Sequence, residues 1–253
     1  MRLNKFISHN SKYSRREADK LIEDGQVKVN KKVENRGFYD VKKGDIVSVK
    51  GRILKPKAPN EVTMIVYNKP KGALVTKKDD RGRTTIYHLL PGKFRHFIPV
   101  GRLDFASEGL LLLTDNPTVA DTFMNAKVPR VYNIKIDKPV TPDMIEAMKR
   151  GLQIRDSLKG AHPKSDIKEM FISPFESFQI RGESGKYTKL RVTITEGKNR
   201  ELRRFFGYFD AEIVDLKRVA FWEIELNNLP TNKTRYFTQN EYDRLHKFLK
   251  ENR

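Results

Sequence analysis

The sequence contains no cysteine, which excludes disulfides, thiolate catalysis and cysteine-ligated zinc. Histidine is almost as scarce. It occurs only at positions 9, 88, 96, 162 and 246, without an H-x-x-x-H pair, so a metal centre has little to be built from. No apolar run approaches the roughly 20 residues that span a bilayer. The N-terminus lacks the apolar core of a signal peptide, and no C-terminal cysteine is available for lipidation. Acidic residues are outnumbered, 32 Asp plus Glu against 51 Lys plus Arg, leaving a formal charge of +19. That excess favours a polyanionic partner, either nucleic acid or an anionic membrane surface. The membrane fares worse, because no strongly apolar amphipathic helix accompanies the charge. The absences together describe a soluble, cytoplasmic, metal-free protein that binds nucleic acid.

What is present suffices for a core. Of 253 residues, 38% are hydrophobic and 15 are Phe, enough for one large domain or two unequal ones. Residues 1–60 read as a small basic domain, with 16 Lys plus Arg against 7 Asp plus Glu. Leu3, Phe6 and Ile7 share one helical face. Ser14 and Glu17 spell a capping box that opens a helix carrying Ala18, Leu21 and Ile22 inward, and Asp24-Gly25 ends it. "QVKVN" and "DIVSV" (45–49) alternate as strands. Arg15 and Arg16 stand at that helix's N-terminus, where phosphate is well received. Each alone reads as part of a solvated basic face; the cluster reads as an RNA- or DNA-binding module. "KGRILKPKAPNE" (50–61) marks a linker.

Residues 61–253 read as a larger α+β domain around one sheet. Strands are expected at 62–68, 96–100, 110–113, 130–136, 166–172, 175–181 and 187–195, with two more in "AEIVDLKRVAFWEIEL". Helices are expected from Pro117, over 141–151, over 198–209 and at the C-terminus, where Leu245, Phe248 and Leu249 can dock.

The stretch "GRLDFASEGLLLLTDN" (101–116) sets a charged loop directly before four leucines apolar enough for burial on both faces. Asp104 is its best chemical candidate, because a rigid strand fixes the geometry of the loop at its end. A lone carboxylate serves as nucleophile or general base without a cofactor. The plainer alternative is a surface turn residue paired with Arg102. In "TEGKNRELRRFF" (195–206), Leu202, Phe205 and Phe206 face a core, and one of Arg200, Arg203 and Arg204 can hold a carboxylate ionised. The same basic face can instead track phosphates. Tyr132 is either an ordinary half-buried strand aromatic or a stacking platform, worth about 1–3 kcal/mol per base. Lys69-Pro70-Lys71-Gly72 reads as a tight turn.

Taken in order, "NKPKG" (68–72), "GRLDFASEGLLLLTDN", "RVYNIKI" (130–136) and "EGKNRELRRFFG" (196–207) resemble the RsuA/RluB/RluE/RluF family of ribosomal RNA pseudouridine synthases. The first 60 residues resemble the small α/β S-four RNA-binding domain of that group. "DDRGRTTIYHLLP" (79–91) and the spelling of 197–204 lean toward the large-subunit RluB branch. The resemblance implies a catalytic domain built on a large mixed, mainly antiparallel sheet. It implies an isomerase that converts one uridine of large-subunit ribosomal RNA, free or in a pre-ribosomal particle, as a monomer. The alternatives are the same chemistry on small-subunit RNA and a non-catalytic ribosome-assembly factor. By position, Asp104 matches the catalytic aspartate, Tyr132 the tyrosine that stacks on the base, and Arg203 the basic partner of the aspartate. Leu202 matches the apolar residue beside the base, and Arg102 the arginine that helps hold the flipped nucleotide. Lys69, Arg15 and Arg16 are expected to contact RNA. Arg130 and Lys198 depart from the usual Lys and Arg. An isomerisation requires no metal, ATP or redox cofactor.

Overall fold

The structure is a computed structural model and describes residues 1–11, 13–55, 62–155 and 157–252. The chain forms two compact units, Met1–Thr63 with Asp115–Val119, and Met64–Thr114 with Ala120–Arg253.

The first unit contains α1 (Leu3–Asn10), α2 (Arg15–Glu23), β1 (Val27–Val29), β2 (Lys32–Val33), β3 (Val47–Val49) and β4 (Arg52–Ile53), with the strands ordered β2-β1-β3-β4. The Glu17 amide donates to Ser14 Oγ at 3.3 Å, and the Ser14 amide donates to the Glu17 carboxylate at 2.7 Å. This reciprocal cap starts α2 where the sequence places it. Leu3, Ile7, Ala18, Leu21 and Ile22 then pack on Val27, Val29, Val47 and Val49. The expected linker at 50–61 differs in its first part. Lys50 and Gly51 both adopt left-handed φ, 48° and 79°, which gives a two-residue hairpin turn and makes Arg52–Ile53 a strand. Residues 56–61 of that segment lie outside the described residues.

Beyond residue 63 the chain forms β5 (Met64–Lys69), α3 (Ile86–Leu89), β6 (Ile98–Pro99), β7 (Glu108–Thr114), α4 (Pro117–Asn125), β8 (Arg130–Ile136) and α5 (Pro142–Arg150). There follow β9 (Leu152–Ile154), β10 (Met170–Ile172), β11 (Ser177–Ser184), β12 (Tyr187–Ile194), α6 (Glu201–Tyr208), β13 (Ile213–Phe221), β14 (Ile224–Glu225), β15 (Thr234–Tyr236) and α7 (Gln239–Glu251). The main sheet runs β11-β12-β8-β13-β7-β5-β15, with β14 on β13 and β6 on β7. Its strand pairs are antiparallel apart from β13 with β7. The sheet is therefore mixed and mainly antiparallel. Leu110 to Leu113 are buried on both faces, and Leu111 and Leu113 join a core with Met144 and Met148 of α5 and Phe205 and Phe206 of α6. In α7, Leu245 and Phe248 are buried, and the Phe248 ring stacks on Phe123 at 4.6 Å.

Several expected elements shift, among them the strand expected over 96–100, which shortens to Ile98–Pro99. The helix expected over 198–209 begins at Glu201, because Arg200 takes a left-handed conformation with φ 50° and ends the loop before it. The strand expected over 166–172 narrows to Met170–Ile172, since hydrogen bonds from α6 hold the preceding segment as a loop. The strand expected over 175–181 moves to Ser177–Ser184. β9, β15 and α3 span only three or four residues, too few for a periodic pattern to reveal.

Candidate active site

A cleft of about 580 Å³ opens in the second unit, where the 101–107 loop, the β8 and β13 floor and the N-terminal end of α6 meet. The loop is fastened through its backbone. The Ser107 amide donates to the Asp104 carbonyl at 3.1 Å, and the Gly72 amide donates to the Phe105 carbonyl at 2.7 Å. Lys69, at the end of β5, is 0% exposed and lies beneath. Its ammonium donates to the carbonyls of Ser107 at 2.7 Å, Pro70 at 2.9 Å and Asp104 at 3.1 Å. Burial pushes its pKa down to about 8, against the pull of Asp104 and Glu108. Expected to contact RNA, Lys69 instead lies under the loop with all three ammonium hydrogens donated, and it does not line the cleft. Lys71 of the same turn pairs with Asp215.

Asp104 projects from this loop into the cleft with Arg203 beside it. The Arg203 Nε lies 3.8 Å from Asp104 Oδ2, the arginine side chain 12% exposed and the carboxylate 35%. Arg203 Nη1 donates to the Ile213 carbonyl at 3.2 Å, which orients the guanidinium. Its Nε makes no hydrogen bond among the described residues, so that donor remains for the carboxylate side. Burial and then nearby Arg200 push the Arg203 pKa down, while Asp104 and Glu212 push it up. The alternative of an Asp104–Arg102 turn pair gives way to this geometry; Arg102 is exposed on the cleft lining.

The helix α6 divides three arginines that spacing alone left equivalent. Arg203 goes to the carboxylate. Arg200 Nε donates to the Gly160 carbonyl at 2.9 Å. Arg204, 1% exposed, donates through Nη2 to the Ile167 carbonyl at 2.6 Å and to Ser165 Oγ at 3.1 Å. Gly160 must be glycine. Its φ is +70°, and a Cβ there would stand 1.9 Å from the Arg203 carbonyl oxygen.

Tyr132 rises from β8, 7% exposed, and lines the same cleft with Leu202. Arg130 borders it too, but its Nη1 donates to the carbonyls of Val128 at 3.0 Å and Thr195 at 2.6 Å. Asp104, Tyr132, Arg203, Leu202 and Arg102 thus converge on one site. Arg15 and Arg16 are exposed in the first turn of α2, in the other unit. The cleft also includes His162, Arg83 and Arg218, which sequence reasoning did not single out.

A sheet-floored cleft that sets the carboxylate of Asp104 beside an arginine and a tyrosine, on a chain that begins with a small basic unit, is the arrangement expected of an RNA-modifying enzyme. The family described as RNA pseudouridylate synthase matches residues 63–208, and the S4 domain matches residues 1–47. The chain belongs to the RNA pseudouridylate synthase family, and it is a pseudouridine synthase acting on RNA. It is 46% identical to an uncharacterised RNA pseudouridine synthase of Helicobacter pylori over 98% of this chain and 95% of that one. It is 32% identical to the dual-specificity RNA pseudouridine synthase RluF of Escherichia coli over 98% of this chain and 79% of that one. A crystal structure of a pseudouridylate synthase superposes with a TM-score of 0.65 at 24% identity, covering 97% of this chain and 99% of that one. Among the described residues, no helix is long and apolar enough to cross a membrane.

Proposed function

We propose that the enzyme isomerises one uridine of large-subunit ribosomal RNA, acting as a monomer in the cytoplasm with Asp104 as the catalytic carboxylate. The supporting observation is the Asp104–Arg203 pair, 3.8 Å apart on the wall of a cleft that also holds Tyr132. A base within a stem or stacked loop is out of reach, so the target must be flipped out at a few kcal/mol. Contacts from the basic small unit, Arg15 and Arg16 among them, offset that cost through phosphate. Tyr132 stacks on the extruded base, Leu202 packs beside it, and Arg102 holds the flipped conformation. Arg203 sets a positive charge beside the Asp104 carboxylate, its Nε 3.8 Å from Oδ2. Lys69 serves substrate binding indirectly, by fixing the loop that bears Asp104. The large-subunit assignment rests on the resemblance to the RluB branch.

The test replaces Asp104 with Asn and maps pseudouridine chemically in ribosomal RNA. Loss of a large-subunit pseudouridine with an intact fold is expected. Retention of that modification by the folded variant defeats the catalytic assignment, and loss at a small-subunit position instead redirects the substrate.

A further inference from the structure

The strand between the two halves of the site carries a charged side chain with an unused donor. β13 lies between β7, which the Asp104 loop enters, and β8, which carries Tyr132. In the ladder, Arg218 pairs directly with Tyr132 on one side and with Gly109 on the other. Directly opposed residues in a sheet project from the same face, so Arg218 stands beside Tyr132 on the cleft floor, which both line. Gly109 allows this close approach. Its φ is +106°, and a Cβ there would lie 2.2 Å from the Arg218 carbonyl oxygen.

Arg218 is 2% exposed. Its Nε donates to the Leu110 carbonyl at 2.7 Å, and its guanidinium lies 5.1 Å from the Phe221 ring centroid. These contacts fix the head group, yet Nη2 is buried and has no hydrogen-bond partner among the described residues. A buried donor left unmade is costly and in a native protein calls for an explanation. Leu216 and Phe221 from β13 and Tyr132 from β8 line the same cleft beside it, and the Arg130 guanidinium also lies over the Phe221 ring, 5.3 Å from its centroid. Aromatic and apolar side chains beside a fixed donor suit a flat heterocycle that carries a carbonyl oxygen.

We propose that Arg218 is a further catalytic residue, whose Nη2 donates a hydrogen bond to a carbonyl oxygen, O2 or O4, of the flipped uracil. This deepens the reading of the Asp104 cleft as the base-binding site and rests on it. When the C1′–N1 bond breaks, its electron pair stays with N1 and the negative charge spreads onto O2 and O4. A fixed guanidinium N–H at one of those oxygens gains strength as that charge develops, so it favours the bond-breaking step over the bound ground state. The electron-poor C1′ faces the Asp104 carboxylate. The count closes when C5 returns a pair to C1′, the C5 proton is lost and N1 takes one up, which leaves an isomer.

The test uses the full-length protein and an RNA fragment that the wild type converts, made with uridine, 2-thiouridine or 4-thiouridine at the target. Sulfur accepts hydrogen bonds poorly, so one of the two replacements is expected to slow wild-type turnover by about tenfold. Arg218→Met is expected to lose about 100-fold in kcat on the uridine RNA, with unchanged RNA affinity and no further loss from that same sulfur. Equal sulfur effects in wild type and variant overturn the proposal. So does a wild type indifferent to both replacements, a result that does not depend on the variant folding. Asp104→Asn is assayed alongside: if it retains turnover, the cleft reading falls and this inference with it. If it is inactive while the sulfur effects are uncoupled, only the role of Arg218 falls.

Discussion

Two loops border the cleft, and beneath each a buried cation donates hydrogen bonds to it, with Arg200 adding a bond to the Gly160 carbonyl of the second. Under the 101–107 loop the cation is Lys69, bonded to the carbonyls of residues 70, 104 and 107. Under the 157–168 segment it is Arg204, bonded to Ser165 Oγ and the Ile167 carbonyl. The device is the same and the chemistry differs. An arginine keeps its proton at any pH a folded protein meets, whereas a buried lysine can lose it. With its pKa pushed down to about 8, Lys69 makes the carboxylate-bearing loop the proton-sensitive one of the two.

Removing each cation gives the largest expected effects and tests whether the loops are equally important. Lys69→Met leaves three carbonyls without their donor and frees the Asp104 backbone, and a misplacement of about 1 Å can cost about 100-fold in turnover. Its stability loss should be about 1–3 kcal/mol, read from denaturant melts. Arg204→Met should cost a similar amount in stability but only about tenfold in kcat. Its effect reaches the site indirectly, through the packing of Gly160 on the Arg203 carbonyl. Equal losses in kcat from the two variants would break the distinction.

The pH profile sharpens the comparison. Above about pH 8 the Lys69 ammonium gives up a proton and can no longer serve three carbonyls, so kcat should fall along that limb. Stability should move the other way as far as this group is concerned. Between about 8 and 10.5 the unfolded chain binds a proton that the folded chain has released, so raising the pH favours the folded state. Falling activity without falling stability is the expected signature, checked by kcat and thermal melts over the same range. Arg204→Met should keep the limb; Lys69→Met should lose it.

The placements of these residues differ in how far the sequence reveals them, and the reasons are physical. Asp104, Tyr132 and Arg203 are legible because each belongs to a motif of distinctive spelling, and the four leucines announce the strand that fixes the loop. Lys69 is not legible as an anchor. A lysine beside Pro70 in a turn reads as surface, and only the closure of β5 against β7 buries it. Arg203 and Arg204 are neighbours on one helix, and their opposite fates depend on where the helix starts. That start is set by the left-handed Arg200, a backbone feature that composition does not announce. Arg218 is hidden by register. The ladder of β13 with β8 shifts between Ile213 and Asp215 and again between Arg218 and Ala220, so simple alternation does not place its side chains.

The smallest expected effect lies outside both loops and serves as their counterpoint. Arg15 and Arg16 stand exposed in the first turn of α2, in the other unit. If the loops govern turnover and the small unit governs encounter with RNA, replacing both arginines by Glu should weaken RNA binding and leave kcat at saturating RNA unchanged. The salt dependence carries the sharper information. Two lost phosphate contacts on single-stranded RNA should flatten the slope of log Kd against log salt by about 1.4. Titrations at several salt concentrations read that slope directly. An unaltered slope places these arginines on a merely solvated face, and a fall in kcat at saturation ties the small unit to the chemistry.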